Sequence, residues 1–137
     1  MERIRFRTMV WLLGLTVVFG SGAATGQQSP PSENKGLRVG STAMLDLGPE
    51  IEGMQGRQLR LRVLTLEPGG VIRMHSHKDL PAVAYLLEGT VMEYREGGRS
   101  QVIQKGAAWS EGKDVTHWAE NKGTTPAVIV VADIFKP

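Results

Sequence analysis

Residues 69–89 read GGVIRMHSHKDLPAVAYLLEG, and this stretch decides the fold. Two histidines, His75 and His77, stand one residue apart in a run with the composition of a β-strand. Side chains at i and i+2 of a strand point to the same face. Both imidazoles therefore aim at one point from backbone positions about 6–7 Å apart, near enough to share one metal ion. The third histidine of the protein, His117, lies in the run GAAWSEGKDVTHWAEN. A fold that returned it to the first two would complete a facial site of three imidazoles.

Outward from this stretch the pattern is β throughout. Residues 58–67 alternate, with Leu59, Leu61 and Val63 on one face and Arg60 and Arg62 on the other. Pro68, Gly69 and Gly70 predict a turn before the histidine strand, 71–77. Further strands are predicted at 41–47, 83–87, 90–95, 99–103, 107–110, 116–120 and 127–135. Glu96-Gly97-Gly98 marks a hairpin between two of them. No stretch beyond residue 26 carries a helical period. Short strands at regular spacing, parted by Gly and Pro turns, predict an all-β sandwich or barrel.

The first 26 residues read as an address rather than as part of that fold. Arg3, Arg5 and Arg7 precede an apolar run of eleven, Met9 to Phe19, and small residues follow from Gly20 to Gly26. This order predicts a secretory signal peptide cleaved after Ala24 or Gly26. The alternative is an uncleaved anchor, but the run falls short of the roughly 18–20 residues that span a bilayer. No cysteine follows it, which excludes a lipoprotein anchor. Residues 27–36, QQSPPSENKG, read as a flexible leader. The domain is expected over 37–137, in a periplasmic or secreted protein.

Composition narrows the function. The chain has 137 residues, enough for one domain with its own core. It has no cysteine, so disulfides and thiolate chemistry are excluded, and a metal must use imidazole, carboxylate or carbonyl ligands. Cleavage would remove Arg3, Arg5, Arg7 and Glu2, leaving 13 of the 16 basic and 13 of the 14 acidic residues. The sequence pI near 9.2 therefore belongs partly to the leader, and no nucleic-acid partner is expected. After signal cleavage no membrane partner is expected either. A small-molecule ligand is, and an open sheet edge near the N-terminal strands would suit a homodimer.

The two histidine stretches resemble the two motifs of the cupin superfamily. The first family motif runs Gly, five residues, His-x-His, three or four residues, Glu, six residues, Gly. Gly69, His75, His77 and Gly89 match it. The second runs Gly, five residues, Pro-x-Gly, two residues, His, three residues, Asn. Gly106, His117 and Asn121 match it. The intervening stretch, Thr90 to Lys105, is short, as in compact single-domain microbial cupins. The resemblance covers about Gln58 to Phe135 and implies a double-stranded β-helix, the jelly-roll barrel, with a metal on His75, His77 and His117.

Three positions depart from the family pattern. Gly112 and Asp114 replace the motif Pro and Gly, which affects only a turn. Ala82 replaces the motif Glu, which removes the carboxylate that completes a shell of three His and one Glu. No substitute is evident in the sequence. Asp79, in the loop after His77, is nearest but is expected to face water.

Three neutral imidazoles would leave a divalent ion its full charge and open positions. Ligand type does not choose among Fe, Zn, Mn, Ni and Cu, and the resemblance favours Fe(II). It implies dioxygenase-like chemistry on a small anionic or carbonyl compound. The alternatives are a non-catalytic periplasmic module that holds a metal or small ligand, and a barrel that has lost its metal and keeps the histidines as a hydrogen-bonded cluster. Arg73, two residues before His75, shares its face and is a candidate contact for a substrate anion. Trp109, Trp118, Tyr85 and Tyr94 are candidate pocket residues. His117, Ala119 and Asn121 are expected to face inward, with Trp118 opposite.

Overall fold

In a computed structural model, which describes residues 29–137, every regular element is a strand. The expected signal peptide and the start of the leader lie outside these residues. The strands are β1 (Lys35–Asp46), β2 (Gln58–Ser76), β3 (Ala82–Glu88), β4 (Thr90–Arg95), β5 (Arg99–Gln104), β6 (Ala108–Glu111), β7 (Thr116–Glu120) and β8 (Ala127–Phe135). All paired strands are antiparallel, in the order β5-β4-β7-β2-β8-β3-β6, with β1 also paired to β2. The sheet curls on itself as a double-stranded β-helix, the jelly-roll barrel expected from the sequence. Strands β4, β7 and β8 begin and end where the alternation predicts.

The predicted turn at Pro68-Gly69-Gly70 is instead a bend within one 19-residue strand. The first half of β2 pairs with β1 and β8, and the second half pairs with β7. One strand thus serves both halves of the barrel. Gly69 has φ +70°, open to glycine at little cost. A Cβ on Gly70 would stand 2.7 Å from the Glu67 carbonyl oxygen and 3.1 Å from that of Lys35. The two glycines let the chain bend sharply and pack closely without ending the strand. Asn121 closes the bend: the Gly69 N–H donates to its carbonyl, and its own N–H donates to that of Gly70.

Period-two alternation fills the barrel. Ala82, Ala84 and Leu86 of β3 point inward while Val83, Tyr85 and Leu87 are exposed. Leu64, Leu66, Ala127, Ile129 and Val131 meet them, and Val91, Ile103 and Ala119 close the core from the other half. Leu66 and Leu86 are fully buried, each stabilising the fold by about 1.5–3 kcal/mol relative to exposure. Strand β1 begins at Lys35. Just before it, the Asn34 side chain accepts the Arg73 N–H and the Pro31 carbonyl accepts the Met74 N–H.

Candidate metal centre

The three histidines meet where β2 ends and β7 begins. His75 is the ladder partner of His117, and directly opposed residues share a face. His77 lies two residues on, on the same face. The His77 N–H donates to the Val115 carbonyl, which fixes the strand end against the turn before β7. The Nε2 atoms form a near-equilateral triangle: 3.2 Å from His75 to His77, 3.0 Å from His77 to His117 and 3.1 Å from His117 to His75. His77 and His117 are buried and His75 is half-buried.

Each ring is anchored through its other nitrogen. His75 Nδ1 is 2.8 Å from the Arg73 carbonyl, His77 Nδ1 is 2.8 Å from that of Leu80, and His117 Nδ1 is 2.8 Å from Glu93 Oε1. These partners only accept, so each Nδ1 carries the proton and donates. Each Nε2 then points to the same place, and in the neutral ring it presents a lone pair there. Burial holds the His75 pKa below its ordinary 6.5, and nearby His117 and His77 lower it further against the opposing bond to Arg73. Neutral imidazoles with converging lone pairs repel one another unless a cation lies between them.

The triangle fits such an ion. Ligand atoms about 2.0–2.1 Å from a metal stand about 3.0 Å apart at right angles and about 3.4 Å apart at tetrahedral angles. The observed spacings of 3.0–3.2 Å lie between the two values, so the triangle suits a first-row divalent ion of either geometry.

Two buried carboxylates that sequence reasoning missed complete the surroundings. Glu93, on β4, is almost fully buried. Its Oε2 accepts from Arg95 Nε and Gln101 Nε2 while Oε1 accepts from His117. Burial alone would raise its pKa, but the bonds from His117, Arg95 and Gln101 outweigh that and lower it to about 2. Glu93 therefore stays ionised and holds the His117 tautomer. Glu93, Glu111 and His117 also cluster closely, but Glu93 faces Nδ1, so its place is that of an anchor.

Glu111, the last residue of β6, is a buried carboxylate beside the position where the family pattern has its Glu. It is the ladder partner of Ala82. Its Oε2 lies 3.2 Å from His77 Nε2 and its Oε1 lies 3.5 Å from His117 Nε2. Asp79 is exposed in its turn. The signal in the sequence was faint: Trp109 and Glu111 share a strand face only if the predicted strand at 107–110 extends by one residue.

The site opens into a cavity of about 310 Å³, lined by apolar side chains including Leu64, Ile72, Leu80, Val91, Ile129 and Val131. Two arginines reach it. Arg73 is exposed at the mouth. Arg62, half-buried, bonds Asp133, which Arg60 also grips through two N–H groups. Of the four aromatic candidates only Trp109 lines this cavity. Trp118 lies on the opposite face, as expected, stacked on Tyr94 at 3.9 Å, and Tyr85 is exposed on the outside of β3.

Comparison with known proteins places these features. A family model described as "Cupin domain" matches residues 62–133. Among solved structures, the TT1209 protein of Thermus thermophilus is 22% identical, with TM-score 0.52, over 71% of this chain and 86% of that one. An oxalate oxidase in complex with glycolate is 22% identical, with TM-score 0.54, over 74% of this chain and 52% of that one. A predicted oxalate decarboxylase of Thermotoga maritima is 17% identical, with TM-score 0.51, over 69% and 92%. At these identities the likeness is one of fold. Among curated proteins, a stretch of 36 residues is 50% identical to the human collagen alpha-1(XVI) chain. It spans 26% of this chain and 2% of that one, too little to relate the two.

Proposed function

This chain belongs to the cupin family, and on that premise we propose that it holds one divalent transition-metal ion on His75, His77 and His117 and uses it enzymatically on a small organic anion or carbonyl compound. The observation that carries the reading is the convergence of three Nε2 lone pairs at 3.0–3.2 Å, each fixed by a bonded Nδ1. Three imidazoles suit Fe(II), Zn(II), Mn(II), Ni(II) and Cu(II) alike, and the likeness to three-histidine cupins favours Fe(II). Bound there, Fe(II) would supply dioxygen chemistry of the dioxygenase kind.

The chain's own residues would do the rest. The Arg73 and Leu80 carbonyls and Glu93 hold the rings, so the site needs little reorganisation when loaded. The largely apolar wall would admit a ligand of modest size, since ligand pockets run from about 300 to 1,000 Å³. Arg73 at the mouth would meet an incoming anion, and Arg62 adds a second positive group inside. The structural neighbours named for oxalate and glycolate agree with a small carboxylate as substrate.

The test is elemental analysis of the purified full chain, then oxygen uptake with small carboxylates, diketones and thiols. About one equivalent of Fe with uptake supports the enzyme. Tight metal binding without turnover on any of them would support the periplasmic binding module instead. The order of residues 1–26 motivates a proposal of export; intact mass from the native host should show a chain beginning near Thr25 or Gln27, and a full-length membrane-bound product would overturn it.

A further inference from the structure

We infer that Glu111 is the fourth protein ligand of the metal, a carboxylate moved from the first cupin motif to the neighbouring strand; this rests on the three-histidine reading above. The family pattern puts its carboxylate at the position that Ala82 occupies here. Ala82 and Glu111 are direct partners in the β3–β6 ladder. Opposed residues in an antiparallel pair share a face, with Cβ atoms about 4.5–5.5 Å apart. A side chain as long as Glu can therefore reach the same point from either strand. Ala82 leaves room for it, being small and buried.

The contacts of Glu111 point the same way. It is buried, with no place for its charge in solvent. Oε1 accepts from Trp109 Nε1 at 2.8 Å. Oε2 faces His77 Nε2 at 3.2 Å. His77 Nδ1 faces the Leu80 carbonyl, so Nε2 is the nitrogen turned toward Oε2. A cation shared between Nε2 and Oε2, a proton or a metal ion, satisfies both buried atoms, and the three converging rings favour the metal. Oε2 stands as near to His77 Nε2 as His75 Nε2 does, and Oε1 lies 3.5 Å from His117 Nε2, so the carboxylate borders the triangle on the side of these two rings. A divalent ion with three neutral imidazoles and one carboxylate would keep a net charge of +1. In an octahedral ion it would leave two positions open for ligand.

The experiment compares parent, Glu111→Gln, Ala82→Glu/Glu111→Ala and His77→Ala as full chains. Co(II) is the probe, read by its visible spectrum and by competition with a chelator. Outer-shell partners alone are worth about 10–100-fold in metal affinity, so loss of a direct ligand should cost at least about tenfold. Glu111→Gln keeps an oxygen for the Trp109 N–H; it should lose that affinity and change the spectrum. The double variant should regain the parent's affinity. If Glu111→Gln fails to fold, the double variant decides: restored affinity upholds the inference and absence of restoration overturns it. Unchanged affinity and spectrum in Glu111→Gln, with His77→Ala abolishing binding, would overturn Glu111 alone. A parent that takes up no Co(II) would overturn the three-histidine reading with it, leaving a cluster held by a proton.

Discussion

Nδ1 of His117 lies 2.8 Å from Oε1 of Glu93, a hydrogen bond sealed inside the barrel. It fixes which nitrogen of His117 faces the other two rings. Glu93 is itself fixed by Arg95 and Gln101, so the orientation of His117 passes through β4 and β5. Glu93→Gln removes the charge and weakens the grip of Arg95. Metal affinity should fall by about 10–100-fold while the fold persists. Competition titration against a chelator measures this, and an unchanged affinity would show that His117 needs no anchor.

Acid should destabilise the metal-free protein in two stages. The pKa of His75 is held below 6.5 in the folded state, mainly by burial. The unfolded chain therefore takes that proton more readily, and stability falls as pH drops below about 6.5. Glu93 has a folded pKa of about 2 against 4.5 for the free group. Its contribution is fully present above 4.5 and lost as pH falls toward 2, up to about 3 kcal/mol. Urea unfolding at pH 7, 5 and 3 should show both stages in the parent. Glu93→Gln should lose the lower one; matching profiles below pH 5 would refute the assignment.

The three histidines should be unequal in folding though equal in binding. Substituting Ala for His75, His77 or His117 should each abolish tight metal retention, since each removes one of the three converging ring nitrogens. Only His117→Ala removes a hydrogen bond to a fully buried carboxylate. It should destabilise the metal-free protein by about 1–3 kcal/mol more than His75→Ala, whose ring bonds a backbone carbonyl beside solvent. Equal unfolding midpoints for the two variants would contradict this ranking.

What could be read from the sequence follows from which contacts are local. The shared face of His75 and His77 is a property of one strand's period, so two positions suffice to see it. Strand β8 was legible in full because its apolar run is bounded by Pro126 and by Lys136-Pro137. The bend in β2 was misread because Pro-Gly-Gly usually ends a strand. Here Asn121 supplies backbone partners on both sides of it, and pairing continues through the kink. Glu111 and Glu93 escaped notice for another reason. Their roles depend on register between strands, Glu111 beside Ala82 and Glu93 beside Ala119, and register is set by the closed barrel. The family pattern showed that a carboxylate was missing but not where another could enter.

Asn121, the last matched position of the second motif, is placed to hold the fold and makes no hydrogen bond to the histidines or to the carboxylates beside them. It is fully buried. Its Nδ2 donates to the carbonyls of Leu66 and Thr125, each at 2.9 Å, and its Oδ1 accepts from the Gly123 N–H at 2.9 Å. These three bonds tie the turn after β7 to β2 just before its bend. The register of β7, and with it the position of His117 opposite His75, depends on that tie. Asn121→Ala would remove all three bonds and leave buried backbone groups short of partners, at a cost of about 2–4 kcal/mol. Asn121→Asp keeps the acceptor for Gly123 but loses both donors and buries a charge, so it should be at least as destabilised. Urea unfolding of the metal-free protein measures both effects. The folded fraction of Asn121→Ala should still bind Co(II) with the parent's spectrum, because no metal-facing atom has changed. Lost metal affinity with unchanged stability would instead assign this asparagine to the metal centre.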